Sequence, residues 1–159
     1  MRRVQSLVCK EDGSEVVEFA LTSTVFFALL LGIIEFGVCI YANNFVATAA
    51  QQGTRYAMVR GSDWTSACAS TSSYGCAATT TNVQNYILSQ PHGGINLVAA
   101  DITVTQMTTN ADGATCVANS KGCQVKVKIS YPFQLNIPLL PASYSTVTLT
   151  STSIETIQD

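Results

Sequence analysis

The sequence predicts an α+β protein in which one long N-terminal helix lies against a small antiparallel sheet. Two observations carry that prediction. From Phe19 to Arg60 no proline interrupts a stretch that is first apolar on all sides and then apolar at three- and four-residue steps, the period of a helix. From Asp101 onward, apolar and polar residues alternate, the period of a strand.

The helix begins with Phe19–Tyr41, FALTSTVFFALLLGIIEFGVCIY. About 23 helical residues are enough to cross about 30 Å of hydrocarbon. Arg2, Arg3 and Lys10 precede this segment, whereas the first twenty residues beyond Tyr41 hold only the distant Arg55 and Arg60. That cation excess predicts a cytoplasmic N-terminus and an external C-terminal domain. A cleaved secretory signal has a shorter apolar core that ends in small residues, so the stretch reads as a retained anchor. Beyond it Phe45, Ala49, Gln52, Tyr56 and Val59 recur on one helical face. The spacing predicts one continuous helix of about 45 residues, on the order of 65 Å long, with Gly61 as a C-cap. Phe45, Tyr56 and Val59 are expected to pack on the chain's own domain. Gly53, inside the helix, marks either a close contact or a hinge.

Residues 61–81 read as a polar loop, and Val83–Ser89 as a short helix with Val83, Tyr86 and Ile87 on one face, ended by Pro91-His92-Gly93-Gly94. Three strands are expected. Asp101–Met107 alternates through Ile102, Val104 and Gln106. Gln124–Tyr131 puts Val125, Val127, Ile129 and Tyr131 on one side, with Lys126, Lys128 and Ser130 on the other. Ser145–Thr152 alternates more weakly through Val147 and Leu149. Pro132, Pro138 and Pro141 predict an irregular link between the last two. The outer half of the long helix would cover the apolar face of the sheet.

Six cysteines occur. Cys9 precedes the apolar segment and Cys39 lies within it. The others form two local pairs, Cys68/Cys76 and Cys116/Cys123, in segments with loop composition. Two local disulfides are the favoured expectation and imply an oxidising compartment. A zinc site is the competing reading, against which the spacings are long and the one histidine, His92, is remote in sequence.

Beyond Ala42 the five cations (Arg55, Arg60, Lys121, Lys126, Lys128) balance five anions (Asp63, Asp101, Asp112, Glu155, Asp159). A near-neutral domain without a basic stripe is a poor nucleic-acid binder. His92 sits in a Pro/Gly turn, no Gly-rich loop follows a strand, and Asp101 and Asp112 lack acidic companions. These features predict a protein that is not an enzyme and needs no cofactor. Two acids interrupt the apolar helix, Glu18 at its inner edge and Glu35 nearer its outer end. Each either reaches toward the nearest interface or meets a partner within the membrane, because an unpaired carboxylate is costly in low dielectric. Seventeen positions separate them, which places them on different faces.

The stretch Gly13-Ser14-Glu15-Val16-Val17-Glu18-Phe19, behind a basic leader and running into an apolar helix, resembles the type IV prepilin processing motif. That resemblance implies cleavage by a prepilin peptidase between Gly13 and Ser14. It also implies that Glu18 neutralises the new ammonium terminus of a neighbouring subunit. Glu18-Phe19-Ala20-Leu21, Ile34-Glu35-Phe36-Gly37, Tyr41 and Arg55-Tyr56-Ala57 are similar to the N-terminal region of TadE-like proteins, minor pilin or pseudopilin components of the tight-adherence (Tad) pilus. The chain departs from most type IV pilins in that Ser14, not an aromatic or large apolar residue, would begin the mature protein.

The resulting expectation divides the chain into a cleaved leader at 1–13, a transmembrane helix at 14–42, its extension at 43–60 and an exported domain at 61–159. The resemblance implies a bacterial inner-membrane protein with a periplasmic domain. Its expected partners are the peptidase, other pilin-like subunits, the assembly platform and lipid, with Glu18, Phe19 and Glu35 as assembly residues. The rival readings are an uncleaved, membrane-anchored envelope binding module and a pseudopilin of a secretion system.

Overall fold

The computed structural model describes residues 12–62, 64, 76–91, 93–135 and 145–158. A 48-residue helix, α1 (Asp12–Val59), is followed by α2 (Thr80–Ser89), a single 3-10 turn at Ala99–Asp101, and strands β1 (Ile102–Asn110), β2 (Cys123–Gln134) and β3 (Thr146–Thr156). The strands form one antiparallel sheet in the order β1-β2-β3. The predicted α+β layout, a long helix on a small sheet, is therefore the fold.

Only the outer part of α1 touches the domain. Ala42, Val46, Ala49, Ala50, Tyr56 and Ala57 are buried, and they meet Val83 and Ile87 of α2 and Val125, Val127 and Ile129 of β2 in one core. Most of these α1 residues are small, so the helix backbone lies close to its neighbours. Gly53 is the tightest point. A methyl group there would lie 2.6 Å from Ile87 Cδ1 and 3.4 Å from Val127 Cγ1. It is a close contact, not a hinge. Thr54, fully buried, bonds back to the Gln51 carbonyl at 2.9 Å and exchanges a 2.9 Å hydrogen bond with Ser153 of β3, so this polar side chain is satisfied. Val59 departs from expectation. It is 51% exposed, because α1 ends there and its side chain lies on the face turned away from the core.

α2 starts three residues earlier than its apolar pattern predicts. The Thr79 hydroxyl accepts from the Asn82 amide at 3.2 Å and caps the helix. It ends at a turn in which Gly93 and Gly94 take positive φ, 52° and 89°, a conformation suited to glycine; His92 lies outside the described residues.

β2 runs past Pro132 to Gln134, where the proline rule predicts an irregular link. The phase of the ladder explains the difference. Every β2–β3 pair keeps one register, from Gln124↔Thr156 to Gln134↔Thr146. Two bonds extend it, Ile157 N–H to the Cys123 carbonyl at 2.8 Å and Leu135 N–H to the Ser145 carbonyl at 2.6 Å. Alternation then makes odd-numbered β2 residues the ones that bond β3. Pro132, opposite Thr148, points its missing donor the other way. β1 has already ended there, with Ile102 opposite Ile129, so no ladder bond is lost. β3 is longer than expected, reaching Thr156, since Ser153 and Glu155 hold places on a strand that carries little apolar signal.

Cys116 and Cys123 form a disulfide with Cα atoms 5.9 Å apart. Cys76 is also disulfide-bonded; Cys68, its expected partner, lies outside the described residues. Cys39 is a free thiol.

Two predictions follow from this packing. Gly53→Ala lowers the unfolding midpoint of the full chain in detergent, because overpacking of about 1–3 kcal/mol exceeds the helix-propensity gain of up to about 1 kcal/mol. Ile87→Val, which removes the Cδ1 atom that the new methyl meets, is less harmful in the Gly53→Ala background than alone; additive losses would mean that the contact does not limit packing. Replacing Cys116 and Cys123 together by serine costs about 2–3 kcal/mol, the loop-closure term for so short a loop, read by thermal unfolding with and without reductant.

Candidate assembly surface

The inner part of α1, up to about Val38, is left uncovered by the domain. Sixteen large apolar side chains between Val16 and Tyr41 are exposed, among them Phe19 at 74%, Leu29 at 65% and Ile33 at 73%. The segment is apolar all round, the pattern of a helix solvated by lipid rather than packed on one side. α1 is long and apolar enough to cross a membrane, with a mean hydropathy of 2.3 over its best 18 residues. From residue 13 to residue 41 it extends about 43 Å.

Hydroxyl groups in this stretch bond to the helix itself. Thr22 Oγ1 donates to the Glu18 carbonyl at 2.6 Å, Thr24 Oγ1 to the Ala20 carbonyl at 2.7 Å and Ser23 Oγ to the same carbonyl at 3.0 Å. They therefore add little polar cost in hydrocarbon. Phe19, Phe26 and Phe27 ring a shallow hollow lined also by Thr22 and Ser23. Phe26 and Phe27 meet edge to face at 5.6 Å.

The predicted site residues fall at separate levels of this rod. Gly13 and Ser14 lie at the start of the described part of α1, exposed, with open space around Gly13. Glu18 is one turn further and exposed, beside Phe19. Glu35 lies about 26 Å along the axis and about 100° around it, partly shielded by its neighbours. The two acids do not form one site. Neither carboxylate has a partner among the described residues.

Two contacts at the outer levels escape sequence reading. The Tyr41 hydroxyl lies against Gly93, where any side chain would collide with it. This contact ties the turn after α2 to the level of α1 at which the apolar run ends. Higher up, Tyr56 stacks on Tyr86 at 4.3 Å, and the Arg60 guanidinium lies 4.6 Å above the Tyr56 ring and donates to its hydroxyl at 3.1 Å. The i, i+4 spacing of Tyr56 and Arg60 is the one signal that foreshadows the second contact.

Taken together, the geometry defines a class: a small α+β domain carried on a single helix whose exposed inner part is suited to a membrane. Residues 13–55 match the family described as TadE-like protein, which relates the chain to proteins of the Tad pilus. The matched segment covers the apolar stretch and most of the outer, packed part of α1 and stops before Tyr56. No curated protein and no solved structure matches the chain.

Proposed function

We propose that the chain is a prepilin-like structural subunit of a Tad-type pilus, cut between Gly13 and Ser14 and assembled through the exposed inner part of α1. The observation that carries this reading is the matched TadE-like segment coinciding with a helix whose apolar surface is left uncovered. A prepilin peptidase removes the leader and with it Arg2, Arg3 and Lys10. An apolar rod then remains, bearing one terminal ammonium and, a turn away, Glu18. In low dielectric that pair of charges is worth most when brought together between neighbours and costs most when left apart. Phe19 packs beside the pair, and Glu35 makes a second polar contact in the helix bundle. The domain stands on the periplasmic side of the inner membrane, and the assembly platform and other pilin-like subunits are the partners.

Sequencing the N-terminus of the protein from its native membrane tests the processing. A chain that starts at Ser14 supports it; one that retains Met1 or Arg2, in a host with active peptidase, points instead to a permanently anchored envelope module. Glu18→Ala is expected to stay in the membrane, with its domain folded, and to lose incorporation into pili. Normal piliation with that variant would remove Glu18 from the assembly step.

A further inference from the structure

The sheet has two edges, and they are not alike. β1 is closed at both ends. The Ile102 carbonyl accepts from Gln84 Nε2 at 2.8 Å, the Thr108 carbonyl accepts from the Cys116 amide at 3.0 Å, and the Asn110 amide donates to the Ala114 carbonyl at 2.9 Å. Its pairing with β2 also shifts register between Gln106 and Asn110. Such irregularity and side-chain cover are how proteins blunt an edge.

Among the described residues β3 is covered only at its last position, where Gln158 lies over Thr156 and donates its amide to the Met58 carbonyl at 2.9 Å. The strand is 11 residues long, TVTLTSTSIET, without proline or lysine and with one charged residue, Glu155. Its pairing with β2 has no register shift. The ladder phase derived above turns the backbone groups of Ser151, Ser153 and their odd-numbered neighbours toward β2. Those of Thr146, Thr148, Thr150, Thr152, Ile154 and Thr156 point outward. Among the described residues the first five have no partner on that side, whereas the Thr156 carbonyl accepts from Gln158 Nε2 at 3.4 Å. Five of the six are threonine, so the edge keeps a polar surface while the described residues leave the outward N–H and C=O groups from Thr146 to Ile154 unpaired.

We propose that the outer edge of β3 is a strand-addition site for an extended segment of a different protein, recognised mainly through its backbone. A second copy of this chain does not fit the edge. Antiparallel β3–β3 pairing places a two-fold axis perpendicular to the sheet. α1 packs on the face of that sheet, so its axis runs along the sheet plane, and the two-fold reverses it. The two anchors would leave in opposite directions. This exclusion rests on α1 spanning the membrane, as in the function proposed above. Head-to-tail addition of copies would require β1 of the next copy, whose edge is covered at both ends and interrupted by a register shift. The occupant is therefore a foreign strand of low charge, and β-branched residues suit its place beside the threonine row.

Hydrogen exchange on the full chain in detergent tests this with a peptide of β3's own sequence, TVTLTSTSIET, which carries no anchor and is free to pair antiparallel. In the free protein the amides of Thr148, Thr150, Thr152 and Ile154 exchange fast, and those of Leu149, Ser151 and Ser153 slowly. Adding the peptide protects the even-numbered set. Thr150→Pro removes an outward donor without touching the β2 ladder, so the protein folds and binds the peptide about tenfold more weakly, the effect of roughly one hydrogen bond; Thr152→Pro behaves alike. Three results would overturn the proposal: protection of the even amides in the dilute free chain, which means that the edge is already covered by the chain itself or by a copy; no protection with peptide; or full binding by both proline variants. N-terminal processing is read in a separate experiment, so failure of either result leaves the other standing.

Discussion

Everything in this fold is arranged around the close approach of α1 to the sheet and α2. Ala42, Val46, Ala49, Ala50, Gly53 and Ala57 present little side chain, so the helix contributes a smooth surface and its neighbours contribute the volume. Ile87, Val83, Val127 and Ile129 fill the space that the small residues leave. Burying these branched side chains adds directly to the apolar free energy of so small a domain. The same arrangement fixes direction. Because the helix is continuous from Asp12 to Val59, setting its outer part against the sheet also sets where the apolar inner part points. A kink near Tyr41 would uncouple the two. The chain has no proline within α1, and the Tyr41–Gly93 contact holds the junction from the domain side.

How much of this was legible depends on which physical signal each segment carries. α1 and β2 announce themselves, since one has a long unbroken helical run and the other strict alternation from Val125 to Ile129. The start of α2 is hidden because Thr79, Thr80 and Thr81 are chemically alike, and only the structure selects Thr79 as the cap. Pro132 misleads for a different reason. Whether a proline breaks a strand depends on which side its nitrogen faces, a property of the sheet and not of local sequence. The far end of β3 is nearly silent because its inward positions include Ser153, which is held by Thr54 and not by apolar contact. At the candidate assembly surface the positions of Gly13, Ser14, Glu18 and Phe19 along the rod were readable from the sequence, since a helix with a fixed rise places them. The tyrosine stack and the Tyr41 contact were not, since both join segments whose relation only the fold determines.

With α1 across a membrane, as in the proposed function, the two ends of the rod would face different solvents and call for different kinds of recognition. Along residues 13–41 there would be no water to compete for charges, and lipid is as apolar as the side chains themselves. Specificity there rests on shape and on the few polar groups, above all Glu18 and Glu35, because only these gain much by finding a partner. On the aqueous side the outer face of the sheet carries Thr103, Thr105, Lys126, Lys128 and Ser130. It offers neither an apolar patch nor a dense charge cluster. Among the described residues what remains is backbone, which the β3 edge presents from Thr146 to Ile154.

These two modes are mechanically linked because they share α1. Thr54 of α1 bonds Ser153 of β3, and the Met58 carbonyl accepts from Gln158 just beyond the strand. The strand is thus pinned along the outer turns of the helix whose inner turns would meet neighbouring subunits. A partner strand added to β3 would be held in fixed orientation relative to the membrane, and any tilt that α1 adopts among its neighbours would be passed to that strand. Only a rigid helix can do this. The small-residue face that lets α1 lie so close to the sheet would hold the domain in fixed relation to the inner part of the same helix.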